Sequence, residues 1–508
     1  MEYLVGIDLG TSGTKTVLFD SSGKTVCSST VEYPMIQPKN GWAEQDPELW
    51  WDACVKTLNQ VMSNSGIDPG DIAGIGLSGQ MHGLVLLDDA GAVLRNSIIW
   101  CDGRTSAECA EITKTVGARR LIEITANPAL TGFTAGKILW VRKHEPSLYA
   151  RTRHMLLPKD YLRYKLCGVF ATEVSDASGM NLLDVPKREW SKEILDALKI
   201  NASLLPQMYE SCEITGYITR EAAALTDLKE GTPVVGGAGD NAAAAVGTGV
   251  VESGKAFITL GTSGVIFAHS DKVKIDPEGR VHTFCAAVPG AWTVMSCTLC
   301  AGGSLQWFAD NFCEADIQEA KKAGKDIYEF LIDQAQQSPP GANRLLFLPY
   351  LMGERSPILD PDARGVFFGL SGMHKRGDMI RAIMEGVMYS QRDCLDILKE
   401  MKTPFEKMLV TGGGGRSTIW RQMMADVFDC PVTASVDKEG PALGAALLAG
   451  VGTGIYESIP KACASILQYG ETLYPDRENM PIYEKYYTLY REVYRQLIKQ
   501  FKTLSGLQ

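Results

Sequence analysis

LVGIDLGTSGTKTVLFD, Leu4 to Asp20, decides how this chain is read. An apolar run leads into Gly10-Thr11-Ser12-Gly13 and a β-rich run leads out, the pattern of two strands joined by a tight turn in which the glycines ease the corner. The pentapeptide LGTSG returns at Leu260–Gly264, inside AFITLGTSGVIFAHSD, about half a chain later and with the same flanks. A repeat at that distance predicts two domains of related fold. Length agrees, because 508 residues exceed what one core organises and domains hold about 100–200 residues each. The small-residue stretch around 246–253 is the natural division, giving domains at 1–247 and 248–508.

Around these repeats the chain alternates short apolar runs with helical periodicity, the signature of an α/β protein. Asp46-Pro47-Glu48 starts a helix: a capping side chain, a proline in the first turn and an acid beside it. GIGLSGQ and LVLLDD read as strands flanking a corner at Gln80-Met81-His82, with Gly79 and Gly83 as its hinges. KMLVTGGGG is a strand entering a glycine turn, STIWRQMMADVFD is helical, and an amphipathic helix over 482–501 closes the chain.

The bulk numbers exclude several classes. The chain is 45% hydrophobic and 22% charged, with a net charge of −10 and no long basic run. Nucleic acid and anionic membrane are therefore not expected partners, while small phosphorylated ligands need only local positive potential. The N-terminus lacks a signal-peptide pattern and no window reaches the roughly 18 apolar residues of a membrane span, so the expected location is cytoplasmic. Thirteen cysteines follow no framework spacing. Cys297-Thr-Leu-Cys300 lacks the second ligand pair of a zinc site, so these thiols are expected reduced and mostly buried.

Chemistry concentrates in a few places. Gly/Thr/Ser turns present backbone N–H groups to anions, and two such turns suit one phosphate chain. No G-x-x-x-x-G-K-[ST] motif is present, which disfavours a P-loop enzyme. Gly74-Ile-Gly-Leu-Ser-Gly79 matches a dinucleotide fingerprint, but a corner and a strand follow where that fingerprint needs a helix. Asp8 ends the first strand and suits Mg²⁺, a hard ion that takes few carboxylates and keeps water. Asp240, in GGAGDNAAAAVG, reads equally as a helix cap or as a general base over a ligand. Thr411-Gly-Gly-Gly-Gly-Arg416 permits close backbone approach to a flat or anionic ligand, and EGPALGAALLAG, from Glu439, is a small-residue helix suited to equally close packing.

Together these stretches resemble the FGGY family of carbohydrate kinases, in the superfamily shared with actin and the heat-shock ATPases. GIDLGTSGTKTVLFD is similar to the family's first phosphate loop and ITLGTSGVIF to its second. GFTAGKILWVRKH keeps its spacing of an aromatic, Lys137 and Trp140; LPYLMGERSP with RGVFFGL, and VTGGGGRSTIWRQMMAD, are similar to its C-terminal signatures. The resemblance implies two ribonuclease-H-like (actin-like ATPase) domains with a cleft between them, sugar on the N-terminal one and ATP on the C-terminal one. GQMHG, GWAEQDPELWW, WCDGRT, LLPKDYLRYKLCG and SDASGMNLLDV are most similar to members that phosphorylate xylulose. Other pentuloses or polyols (ribulose, L-xylulose, glycerol) keep the chemistry and change the substrate. An actin- or heat-shock-like ATPase with protein partners and a nicotinamide oxidoreductase are more distant alternatives. Carried over by position, Asp240 is the catalytic base and Asp8 lies at the transferred phosphate and Mg²⁺. Gln80, Met81, His82, Asn241 and Trp42 join Asp240 at the sugar. Thr11, Ser12, Gly13, Thr14 and Lys15, with Gly261, Thr262, Ser263, Gly413, Gly414 and Ser417, face ATP. A homodimer is common among similar kinases, with nothing in the sequence marking an interface.

Overall fold

The computed structural model describes residues 2–403, 405–436 and 439–507. They fall into two compact units: Met1–Glu252 with His269–Thr293 and Asp437–Leu467, and Ser253–Ala268 with Val294–Val436 and Gln468–Gln508.

In the first unit, β1 (Tyr3–Leu9) and β2 (Gly13–Asp20) form the expected antiparallel pair around Gly10–Ser12, and β3 (Thr25–Glu32) extends it. β4 (Ile72–Gly79) runs parallel to β1 on the other side, with Asp8 abreast of Ser78. β5 (Ile214–Tyr217) and β6 (Pro233–Val235) complete the order β5-β6-β4-β1-β2-β3. The short pair Ala238–Gly239 lies parallel to Ser78–Gly79. Three segments therefore end side by side at Leu9, Gly79 and Gly239, and each carries a candidate site residue just before or after its end. The carboxyl ends of strands are where open α/β sheets place ligands.

Helix α1 (Pro47–Ser65) forms as its sequence directs. The Asp46 carboxylate accepts from the Glu48 amide at 3.0 Å, and Gly66 ends the helix at φ 64°. Its inner face buries Trp50, Trp51, Leu58 and Val61 in the core, each large side chain contributing roughly 1.5–3 kcal/mol.

Three glycines explain the false dinucleotide fingerprint. Helix α2 (Gly440–Gly452) lies against β1 and β4 so closely that a Cβ on Gly76 would sit 1.9 Å from the Ala445 carbonyl oxygen. One on Gly74 would meet the Thr453 methyl at 2.8 Å, and one on Gly79 the Lys159 Cβ at 2.8 Å. On the same helix Gly444 meets the Ala243 carbonyl in the same way, so the small-residue helix packs as tightly as its composition suggested. The spacing G-x-G-x-x-G records helix packing here, with no phosphate needed to account for it.

The second unit repeats the plan. β7 (Gly254–Leu260) and β8 (Gly264–Ser270) are antiparallel around the second LGTSG, and β9 (Phe405–Thr411) runs parallel to β7. Thr259 and Thr411 face each other across that pair at 2.8 Å. β10 (Val432–Ser435) and β11 (Tyr469–Leu473) extend the sheet beyond β9. The closing helix spans Met480–Ser505. Among the described residues no helix is long and apolar enough to cross a membrane.

Nine of the 13 cysteines are buried, Cys300 included, and Cys101 is exposed. No group of three or more His, Cys, Asp or Glu among the described residues is arranged to hold a metal.

Candidate active site

In the first unit, parallel pairing of β1 and β4 brings the Ser78 hydroxyl within 2.8 Å of Asp8, to which it donates. Burial pushes the Asp8 carboxyl above its usual range, against the pull of Ser78 and Lys15. Asp240 begins the helix Asp240–Thr248. It does not cap it: its Oδ1 accepts from the Asn241 backbone N–H at 2.7 Å and from Asn241 Nδ2 at 2.9 Å, and the cap position falls on Gly239. Its carboxyl is pushed up to about 7, by burial first and then by the charge of Asp8. A carboxylate poised near neutrality and oriented by a neighbouring amide is what a general base requires.

The Gln80–His82 corner differs from expectation in how it is made. Gly79 and Gly83 do not supply the bend; His82 itself does, at φ 70°. The left-handed region is uncommon outside glycine, though histidine is among the residues enriched there. The flanking glycines are needed instead for clearance, a Cβ on Gly83 falling 2.5 Å from Pro158. The same holds at Gly10 and Gly13, neither of which has positive φ; a Cβ on Gly13 would meet the Val31 carbonyl at 2.8 Å.

His82 Nδ1 lies 2.9 Å from the Gly179 carbonyl, which can only accept, so Nδ1 carries a proton. The ring stacks on Phe133 with centroids 4.5 Å apart, and Phe284 lies at 6.3 Å. Met81 is buried against Gly239, where a Cβ would fall 2.9 Å from its Cγ, while a Cβ on Gly179 would fall 2.3 Å from the His82 ring. Gln80 is buried too, its amide donating to Gln45 Oε1 at 2.8 Å. Gln45 in turn donates to the Thr11 carbonyl at 2.6 Å, so this glutamine pair braces the first loop. Trp42 stacks under the Arg104 guanidinium at 3.8 Å and meets the edge of Trp140 at 5.4 Å; the described contacts do not link it to His82 or Asp240.

The first loop is held by its carbonyls. Tyr33 takes those of Gly10 and Ser12, and Gln45 that of Thr11, while the Thr11 and Ser12 amides have no protein acceptor among the described residues. The second loop is tied in the same sense: Gly302 N–H donates to the Gly261 carbonyl at 2.9 Å, and the Ala301 and Gly303 amides donate to Thr262. Both loops thus present amides outward as anion nests. Lys15 follows the first loop and pairs with Glu439; Thr14 is buried, its hydroxyl 3.4 Å from that of Tyr33.

The second unit holds a cavity of about 640 Å³. Gly261, Thr262, Gly413, Gly414 and Ser417 all line it; Ser263 does not. Gly412 turns the chain at φ 81°, and Ser417 caps the helix Thr418–Phe428 through the Trp420 amide at 3.2 Å. Leu305, Ile332 and Trp420 give the cavity an apolar wall, and Gln306, Tyr328 and Gln336 a polar edge, suited to a purine and its ring nitrogens. Leu305, Gln306, Tyr328, Ile332 and Gln336 were not legible in the sequence, because helices Gly302–Phe312 and Ile327–Ala335, with Gln336 just after, look like ordinary amphipathic helices; Trp420 lies in the STIWRQMMAD stretch already singled out. Phe133, Phe284 and Lys137 beside His82 were missed as site residues too, although the aromatic–Lys137–Trp140 spacing marked their neighbourhood.

A divalent ion arriving with nucleotide phosphates fits this donor set. One oxygen of Asp8 is engaged by Ser78, and a single carboxylate suits Mg²⁺, which retains water and phosphate ligands.

Residues 3–247 match the N-terminal domain of the FGGY family of carbohydrate kinases, and residues 256–453 its C-terminal domain. The chain is 40% identical over 494 residues to the xylulose kinase of Bacillus subtilis (strain 168), covering 97% of each chain. Its fold superposes on the crystal structure of xylulose kinase from Rhodospirillum rubrum with a TM-score of 0.91, at 30% identity and with 99% and 100% of the two chains covered. The crystal structure of gluconate kinase from Lactobacillus acidophilus matches with a TM-score of 0.92, at 29% identity and 99% coverage of both chains. This chain belongs to the FGGY family of carbohydrate kinases, enzymes that transfer a phosphoryl group to a sugar.

Proposed function

We propose that this protein transfers the γ-phosphoryl group of ATP to the 5-hydroxyl of D-xylulose. Similarity to xylulose kinases over nearly the full chain supports the substrate. The observation that carries the chemistry is Asp240, a carboxyl pushed up to about 7 by burial and by the charge of Asp8, the two residues standing at the ends of segments that flank β4.

Asp240 accepts the hydroxyl proton as the sugar oxygen attacks the γ-phosphorus. The new O–P bond forms, the bond to the bridging oxygen breaks, and ADP leaves carrying the electron pair. Asn241 holds Asp240 in orientation and His82 Nε2 accepts from a sugar hydroxyl. Met81 offers an apolar surface to the carbon face. The amides of each LGTSG loop are suited to negative phosphate oxygens. Adenosine occupies the cavity of the second unit, with the Gly413–Gly414 backbone close against it. Asp8 would hold Mg²⁺, which when bound would neutralise part of the phosphate charge.

The test is turnover on a panel of D-xylulose, D- and L-ribulose, L-xylulose, glycerol and gluconate, read by ADP release. The expected result is a kcat/KM for D-xylulose at least about tenfold above every other member, a margin of some 1.4 kcal/mol in transition-state binding. Higher kcat/KM with gluconate or a ribulose overturns the substrate, and ADP release indifferent to sugar overturns the kinase reading.

A further inference from the structure

Lys137 lies on the helix Thr134–His144 and its side chain is fully buried. Its Nζ donates to the His82 carbonyl at 2.7 Å and to the Gly132 carbonyl at 2.8 Å, and no carboxylate forms an ion pair with it among the described residues. Asp102, Arg104 and the thiols of Cys101 and Cys109 are the titratable and charged groups that act on it. A buried amine is costly, and what offsets it here is the pair of carbonyls it satisfies; a methionine would fill the space and leave both without this donor.

What Lys137 holds is the carbonyl of a residue in an unfavourable backbone conformation. At φ 70°, His82 sets its ring against Gly179 and Phe133, and its carbonyl accepts from Lys137. Thr134 Oγ1 donates to that same carbonyl at 3.1 Å. The two donors come from one helix, and they fix the peptide while Gly179 and Phe133 fix the ring.

We propose that Lys137 is a positioning residue for sugar recognition, holding the His82 peptide left-handed so that Nε2 meets the substrate hydroxyl. This rests on the assignment of His82 to the sugar. Burial pushes the Lys137 amine down to about 7. Charged and neutral forms both carry enough N–H groups for two carbonyls, so the anchor persists through that titration.

The test is a double-mutant cycle between Lys137→Met and His82→Ala, read as KM for D-xylulose, KM for ATP and kcat. Lys137→Met alone is expected to raise the sugar KM about tenfold or more, with the ATP KM within about twofold. In the His82→Ala background the same change is expected to alter the sugar KM by less than about twofold, because its target is gone. Thr134→Val, removing the second donor to the same carbonyl, is expected to raise the sugar KM about threefold and serves where Lys137→Met folds poorly. An undiminished effect of Lys137→Met in the His82→Ala background, or an equal rise in ATP KM, overturns the proposal. So does an unchanged sugar KM in Thr134→Val. If His82→Ala by itself leaves the sugar KM unchanged, the assignment of His82 fails first and takes this proposal with it.

Discussion

The Asp240 carboxyl, pushed up to about 7, makes the pH profile of this enzyme a direct report on its proposed base. A base works only when ionised, so activity must rise with pH through that value. With a midpoint near 7, roughly 9% of Asp240 is ionised at pH 6 and roughly 91% at pH 8, so kcat/KM for the sugar is expected to rise about tenfold across that interval. The measurement is ADP release at sugar concentrations well below KM, with saturating Mg-ATP and constant ionic strength. Because the nucleotide also titrates in this region, two variants assign the limb. Asp240→Asn keeps the shape, removes the proton acceptor and is expected to lose about 10²–10⁴ in kcat, with no acid limb in what remains. Asn241→Ala removes the 2.9 Å hydrogen bond to the ionised form while leaving the backbone donor at 2.7 Å. A hydrogen bond to a charged group contributes about 1.5–3 kcal/mol, so the limb is expected to move up by about one unit or more. A flat profile from pH 6 to 8, with Asp240→Asn retaining more than a tenth of the activity, would refute the reasoning.

Three further outcomes follow from contacts described above. His82→Ala is expected to raise the sugar KM while leaving the ATP KM unchanged, and kinetics with each substrate varied in turn checks it; an unchanged sugar KM removes His82 from recognition. Gly413→Ala adds a Cβ that meets nothing within 4 Å, so the melting temperature should hold while the ATP KM rises several-fold; an unchanged ATP KM places the nucleotide elsewhere. Gly76→Ala puts a Cβ 1.9 Å from the Ala445 carbonyl, which forces the helix off the sheet. Overpacking of this kind costs about 1–3 kcal/mol or more, and thermal unfolding that matches the parent would contradict the packing.

Much of the site was legible because its chemistry is local. Asp46-Pro47-Glu48 starts a helix wherever it stands, and LGTSG between apolar runs folds as a strand pair in both units. Those signals depend on hydrogen bonds and backbone preferences within a few residues. They placed Asp8 and Asp240 at strand ends, and the paired loops pointed to a phosphate chain. The polar edge of the second unit's cavity left no comparable mark, since Gln306 and Tyr328 occupy helices, and Gln336 follows one, whose pattern only says that one face is buried.

The sequence by itself determined the two related α/β units, the hairpin loops and Asp8 beside the first of them, because turn chemistry and periodicity act over short spans. Tertiary structure alone decided that 269–293 and the helix Gly440–Gly452 fold with the first unit, which sets Phe284 near His82 and lays that helix on Gly6 and Gly76. It also decided that the corner at Gln80–His82 turns on the histidine and that a buried lysine from a separate helix holds it there. Such features depend on which surfaces meet across long separations in sequence, and a contact between distant residues leaves no periodic trace in either one.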